Sequence, residues 1–267
     1  MRKLVLLFLV LAAANAFAGL DARTIIQRSV EANDKDFKEA PNFNHFERDQ
    51  QDGHTRTFQV LMILGSPYHR LVAVDGKPLT GQQQAQEEKK LQAAIARRSR
   101  ETSQQRAQRI AKYEKDRQRD YMLMQQLTEA FNFTLQGEQK LGPYQVYVLD
   151  ASPRPGYQPP NTETQVLTGM KGKLWIDTQS FQWVKVEAEV VHPVSIAGFL
   201  AKVEPGTRFE LEKMPVSGNV WLPRHFAMKA TARILGLFSH NSQEDEHYFD
   251  YHRAAPVEAA GLPPKYK

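Results

Sequence analysis

The residues best placed by type and spacing to do chemistry lie in KGKLWIDTQSFQWVKVEAEVV, residues 171–191, where Asp177 stands between Trp175 and Trp183. Two readings fit: a catalytic carboxylate between aromatic binding platforms, or the tip of a β-hairpin. An Asp at a strand end serves a turn well, because its short side chain bonds backbone amides two residues on, and the hairpin reading is preferred. Trp175 opposes Trp183 only across a three-residue turn, so the register stays open at this point. Other candidates are weaker. Gly65-Ser66-Pro67 is not a nucleophile elbow, and its proline removes a backbone N–H that an oxyanion hole would use. His192 and Ser195 are close in sequence, which is not triad geometry. In HYFDYHR, Asp250 and His252 share one face of a strand and His247 the other, so the three do not converge without a bulge. Metalloprotease, calcium-loop and phosphate-loop signatures are absent. The expectation is a protein that is not an enzyme, with no metal site and no cofactor.

Around these residues the chain declares its compartment. MRKLVLLFLVLAAANAFAG has a basic start, an apolar run and an Ala16-Phe17-Ala18 site, the order of a cleaved secretory signal over residues 1–18. The apolar run is well short of the roughly 20 residues that span a bilayer. With no cysteine, neither a lipid anchor after the signal nor a disulfide is available. The expected product is a soluble periplasmic protein whose fold rests on its own core. Losing Arg2 and Lys3 takes the net charge from +5 to +3. Residues 81–120 alone carry eleven Lys or Arg against six Asp or Glu, so the rest of the mature chain is slightly acidic. Only Tyr113 in that basic segment could stack a base, and no nucleic-acid role is expected.

The elements follow from periodicity. Residues 21–33 place Ala22, Ile25, Ile26, Ser29 and Val30 on one helical face behind Asp21 as N-cap. Asp52-Gly53 and Asp75-Gly76 are hairpin turns between β-rich runs. Residues 80–131 contain no proline; Thr80 and Gln83 have capping-box spacing, and a break falls near residues 99–103. A continuous helix there would be about 75 Å long, so a charged helical hairpin folded back on the body is expected over 81–131. Beyond Phe131 the chain is β-rich, with Val220, Leu222, Phe226, Met228, Ala230, Ala232, Ile234 and Phe238 apolar at even positions against the polar His225, Lys229, Thr231 and Arg233 at odd ones. Long one-sided strands predict a mainly antiparallel, twisted sheet with helices on its apolar face, an α+β class.

The series DGKPLT, PRPGYQP, GKLWID, AGFLAKVEPGTRFELE, VWLPR and FDYHR resembles periplasmic proteins of the LolA-like fold: the lipoprotein carriers LolA and LolB, the regulator RseB and their lipoprotein-sorting relatives. The resemblance implies a strongly curved half-barrel with a helical lid, formed by residues 19–267 as one domain, and an apolar cavity for acyl chains of lipids or lipoproteins. The lining expected here is Phe58, Val60, Met62, Trp175, Trp183, Phe209, Leu211, Leu222, Phe226, Met228 and Ile234, with Ile25, Ile26, Val30, Phe199 and Leu200 as the lid. The leading expectation is therefore a lipid or lipoprotein carrier in outer-membrane biogenesis. The alternative is a regulatory or scaffold module whose residues 84–120 hold an envelope protein or an anionic membrane surface.

Overall fold

A computed structural model of the chain describes residues 20–51, 53–196, 201–234 and 238–255. The signal-like segment and the residues Phe199 and Leu200 lie outside them. Helix α1 (Ala22–Glu39) starts where Asp21 Oδ1 accepts the Thr24 N–H at 2.6 Å. It buries Ile25, Ile26, Ser29, Asn33 and Asp36, so the inward stripe continues beyond the last apolar residue into polar ones.

All strand pairs are antiparallel. Strands β1 (Phe43–Gln51), β2 (His54–Ile63), β3 (Ser66–Val74) and β4 (Lys77–Pro78) form one meander. A second comprises β5 (Phe131–Leu141), β6 (Tyr144–Pro153), β7 (Met170–Asp177) and β8 (Trp183–Val190). The short β9 (Val194–Ile196) and β10 (Ala201–Val203) precede β11 (Arg208–Ser217), β12 (Val220–Ile234) and β13 (Phe238–Arg253). The order across the sheet is β4-β3-β2-β1-β13-β12-β11-β8-β7-β6-β5, and the sheet stays open. Its thirteen strands among the described residues match the expected antiparallel α+β class. The long even-numbered apolar run divides between two strands, Phe238 opening β13. β12 reaches 15 residues because β11 partners one end of its edge and β10 the other.

Helices α2 (Gly81–Ser99), α3 (Ser103–Gln125) and α4 (Leu127–Ala130) connect β4 at one open edge to β5 at the other. Both long helices begin in capping boxes, Thr80 with Gln83 and Thr102 with Gln105, which places the break at residues 100–102. α2 seats Leu91 against Leu61 and Ile63, while Leu123 and Met124 of α3 reach the main core on the other face of the sheet. Arginines fasten the hairpin to the β2–β3 turn. Arg98 donates to the carbonyls of Ile63, Ser66 and Pro67 at 2.8–2.9 Å, and Arg109 joins Glu101, Ser66 Oγ and the Leu64 carbonyl. Arg117 donates to Glu114 and to the Phe37 carbonyl of α1. Among the described residues, no helix is long and apolar enough to cross a membrane.

The main core lies between α1 and the β5–β8 half of the sheet. It joins Ile25 and Ile26 to Phe131, Leu149, Leu174, Ile176, Trp183, Val186 and Val190. At the end of α1 a polar cluster is sealed into this interface. Lys213 Nζ meets Asp36 Oδ2 at 2.5 Å and Asn33 Oδ1 at 2.7 Å, with both charged side chains at most 6% exposed. Asp36 Oδ1 accepts the Trp221 N–H at 3.0 Å and Gln182 Nε2 at 3.1 Å. Trp183 Nε1 donates to Ser29 Oγ at 3.3 Å. Burial pushes the Asp36 carboxyl up and the Lys213 ammonium down, while each supplies the other's counter-charge.

Asp36→Ala strands a buried ammonium and should cost about 3–5 kcal/mol in urea unfolding. Gly65 has φ +92°, and a Cβ there would stand 2.8 Å from Ile110 Cδ1. Gly65→Ala should therefore lose about 1–3 kcal/mol, read in the same titration.

Candidate functional site

Cross-strand register assigns the rows of the face that carries α1. Phe209 pairs with Met228, and Leu211 with Phe226, and both β11 residues pack against the main core. The Phe209 and Phe226 rings lie 6.2 Å apart. These four side chains are only half-buried, so apolar surface continues past the packed half of the sheet. The next strands change character. Phe226 is opposite Glu246, which is opposite Asp49, and Met228 is opposite Glu244. One step along, Tyr248 is opposite Glu47, and Glu47 is opposite Phe58. A column of carboxyls and tyrosines on β13 and β1 thus divides the apolar residues of β11–β12 from those of β2.

That column is electrostatically unusual. Glu47 is pushed up to about 7, first by burial and then by Glu246 and Asp49. Its side chain is 19% exposed, with His69 Nε2 3.9 Å away. Tyr248 donates its hydroxyl to Glu246, whose own carboxyl is pushed up by burial. Tyr251 donates to the Pro223 carbonyl at 2.8 Å, and burial raises both tyrosines. His45 stacks on Tyr251 at 4.9 Å, and burial pushes it down to about 4. Near neutral pH this column offers a carboxyl able to hold its proton and donate a hydrogen bond at the border of an apolar patch.

The expected lining residues are divided by this geometry. Trp183 faces α1, whereas Trp175 lies on the opposite face with Val146, Val148, Val184 and Trp221. The cause is register: Ile176 pairs with Trp183 and Trp175 with Lys185, with a shift between them. Phe209, Leu211, Phe226 and Met228 come together on the α1 face. Phe58, Val60 and Met62 share their face beyond the acidic column, and Val60 is 3% exposed. Leu222 is buried but pairs with Met214 across a bulge at Arg224, out of line with Phe226. Of the lid residues, Ile25 and Ile26 are buried in the core and Val30 borders it. Phe199, Leu200 and the Ile234 side chain are outside the described set.

Asp177 acts in the turn. Its Oδ2 accepts the Gln179 and Ser180 N–H groups at 3.2 and 2.7 Å and the Ser180 hydroxyl at 2.7 Å. Ser66 Oγ is engaged by Arg109 at 2.7 Å. His247 meets neither Asp250 nor His252 but His225 and Asp245. The acidic column had been readable only as alternation in HFERDQ, which does not tell which face is covered.

Between the Trp175–Trp221 cluster and the Leu61–Ile63–Leu91 cluster, the face away from α1 is polar. A depression of about 860 Å³ crosses it, lined in part by Asp150, Lys173, Glu189, Arg208, Glu210 and Asp245. Cross-strand ion pairs pave it: Lys173 with Asp150 at 3.4 Å, Arg208 with Glu189 at 3.3 Å and Lys185 with Glu210 at 2.9 Å.

No protein-family model matches this chain, and no curated protein matches it. Solved structures similar to it include a LolA superfamily protein from Nitrosomonas europaea, 13% identical over 90% of this chain and 96% of that one, TM-score 0.33. Another is a DUF1329 family protein from Desulfovibrio piger, 8% identical over 92% and 96%, TM-score 0.32. A chain of the Pseudomonas aeruginosa MucA/MucB complex is 11% identical over 87% and 99%, TM-score 0.27. The first belongs to the superfamily that GKLWID and its companions resemble. Scores at this level carry neither a family nor an activity across.

Glu47 gives a pH test with a definite sign. Its folded value near 7 lies above the ordinary 4.5, so the fold disfavours the carboxylate. Its contribution is intact below pH 4.5 and lost as pH rises towards 7, to a total on the order of 3 kcal/mol. His45, depressed to about 4, works oppositely, with stability lost as pH falls from 6.5. Glu47→Gln isolates the first effect: relative to the parent it should gain stability between pH 4 and pH 8, as followed by urea midpoints.

Proposed function

We propose that the protein binds acyl chains of lipids or lipoproteins on the α1 side of its open sheet, as a non-enzymatic carrier of the periplasm. The observation that carries this is the half-buried patch of Phe209, Leu211, Phe226 and Met228, continuous with the main core. An acyl chain laid there gains about 0.8 kcal/mol per buried methylene. Eight methylenes would give roughly 6 kcal/mol before the costs of ordering. Glu47 and Glu246 border the patch and suit its polar end, because a protonated carboxyl can donate to a head-group oxygen. The depression on the opposite face is paved with ion pairs instead.

A partner-binding role for residues 84–120 is less favoured. Arg98, Arg109 and Arg117 are engaged within the fold, which leaves outward residues such as Lys89, Arg97, Lys112 and Lys115.

Native mass spectrometry of the purified mature protein should find co-purified lipid, and a fluorescent fatty acid should bind at micromolar concentration. Phe226→Glu should weaken that binding at least tenfold. Lipid-free protein that ignores the probe, or binding unchanged by Phe226→Glu, would refute the proposal.

A further inference from the structure

On the face away from α1, His225 of β12 stands directly opposite His247 of β13, their rings stacked 4.4 Å apart at 15°. Asp245 lies two residues before His247 on the same face, and one of its oxygens receives both rings. His225 Nε2 is 3.2 Å from Asp245 Oδ1, and His247 Nε2 is 3.1 Å from the same atom. One ligand atom from each of the three residues fits within a 4.8 Å cluster. Two imidazole nitrogens and one carboxylate oxygen therefore converge from adjacent central strands.

Those separations have a chemical meaning. Around a four-coordinate zinc ion, bonds of about 2.0–2.1 Å hold neighbouring donor atoms roughly 3.3 Å apart. Both nitrogen–oxygen edges of the triangle are already close to that length. Two imidazoles and a carboxylate match borderline divalent ions, whereas calcium and magnesium want more oxygens. The support is stiff, since β12 and β13 are hydrogen-bonded on both sides within the sheet. Asp245 also lines the polar depression, which gives water or a ligand access to the open coordination positions. Of the charged neighbours in register, Glu212 is opposite His225 and adds negative potential. Arg48 is opposite His247, with its guanidinium 5.5 Å from the Phe249 ring centroid.

We propose that His225, Asp245 and His247 form a binding site for a divalent cation of the zinc class, with at least one coordination position open. Each histidine would coordinate through Nε2 and carry its proton on Nδ1. The site faces away from the acyl-binding patch, so it stands or falls independently of the carrier reading.

The test is isothermal titration of zinc chloride into the full mature chain, purified without a histidine tag. One equivalent should bind with micromolar affinity and raise the melting temperature. His225→Ala and His247→Ala should each weaken binding at least tenfold, while His54→Ala, whose imidazole pairs with Asp75 elsewhere on the sheet, should leave it unchanged. Asp245→Asn, which preserves shape, replaces a histidine variant that fails to fold and should also weaken binding. Absence of saturable zinc binding, or binding that survives loss of both histidines, would overturn the proposal.

Discussion

The ion pair between Lys213 and Asp36 is the constraint on which the rest of the molecule depends. It is buried at the junction of α1, the β7–β8 loop and the β11–β12 hairpin, three parts of the chain that otherwise share little local sequence. Removing two charges from water is costly, and the cost is met only where every remaining hydrogen-bonding position is filled. Asn33 accepts from the ammonium, while Gln182 and the Trp221 amide donate to the carboxylate, and together these bonds tie helix to sheet in one relative placement. Hydrophobic burial would hold α1 against the sheet in many sliding positions; the polar cluster selects one. Once α1 is fixed, Ser29 is set to receive the inward-facing Trp183, and the apolar patch is left beyond the end of the packed core.

From that placement the two faces of the sheet take different chemistries. Strands β11 and β12 present Phe209, Leu211, Phe226 and Met228 on one side, and Glu210, Lys229 and His225 on the other. The adjacent β13 and β1 break the pattern by bringing Glu246, Tyr248 and Glu47 to the apolar side. Buried acids cost stability, and the histidine beside Glu47 is itself held below its ordinary value by burial. Such a cost concentrated at the margin of an apolar patch is more readily understood as a binding feature than as support for the fold.

Legibility followed locality. Asp21, Thr80 with Gln83, and Asp177 were readable because caps and turns are settled within a few residues. The break in the charged segment was readable for the same reason, since Thr102 and Gln105 repeat the capping box. What escaped depends on pairing between strands. A shift at the β7–β8 hairpin decides which tryptophan faces inward, and an extra residue at Arg224 takes Leu222 out of line. His247 looked for partners along its own strand, whereas its partner His225 lies across a ladder. The anchoring by Arg98 and Arg109 was not legible, because the backbone carbonyls that receive them carry no sequence signature.

The pairing of β1 with β13 has a consequence for the order of events in folding. Phe43 is matched with Arg253, and Gln50 with Asp245, so the earliest strand to be synthesised waits for the last described one. Until β13 arrives, β1 and β12 are both unpaired edges, and the two meanders have no sheet contact with each other. Ladders of such long sequence separation form slowly, and exposed edges invite pairing with other chains in the interval. The fold is thus finished at its middle rather than at its ends, and a nascent chain of this design would need protection over nearly its whole length.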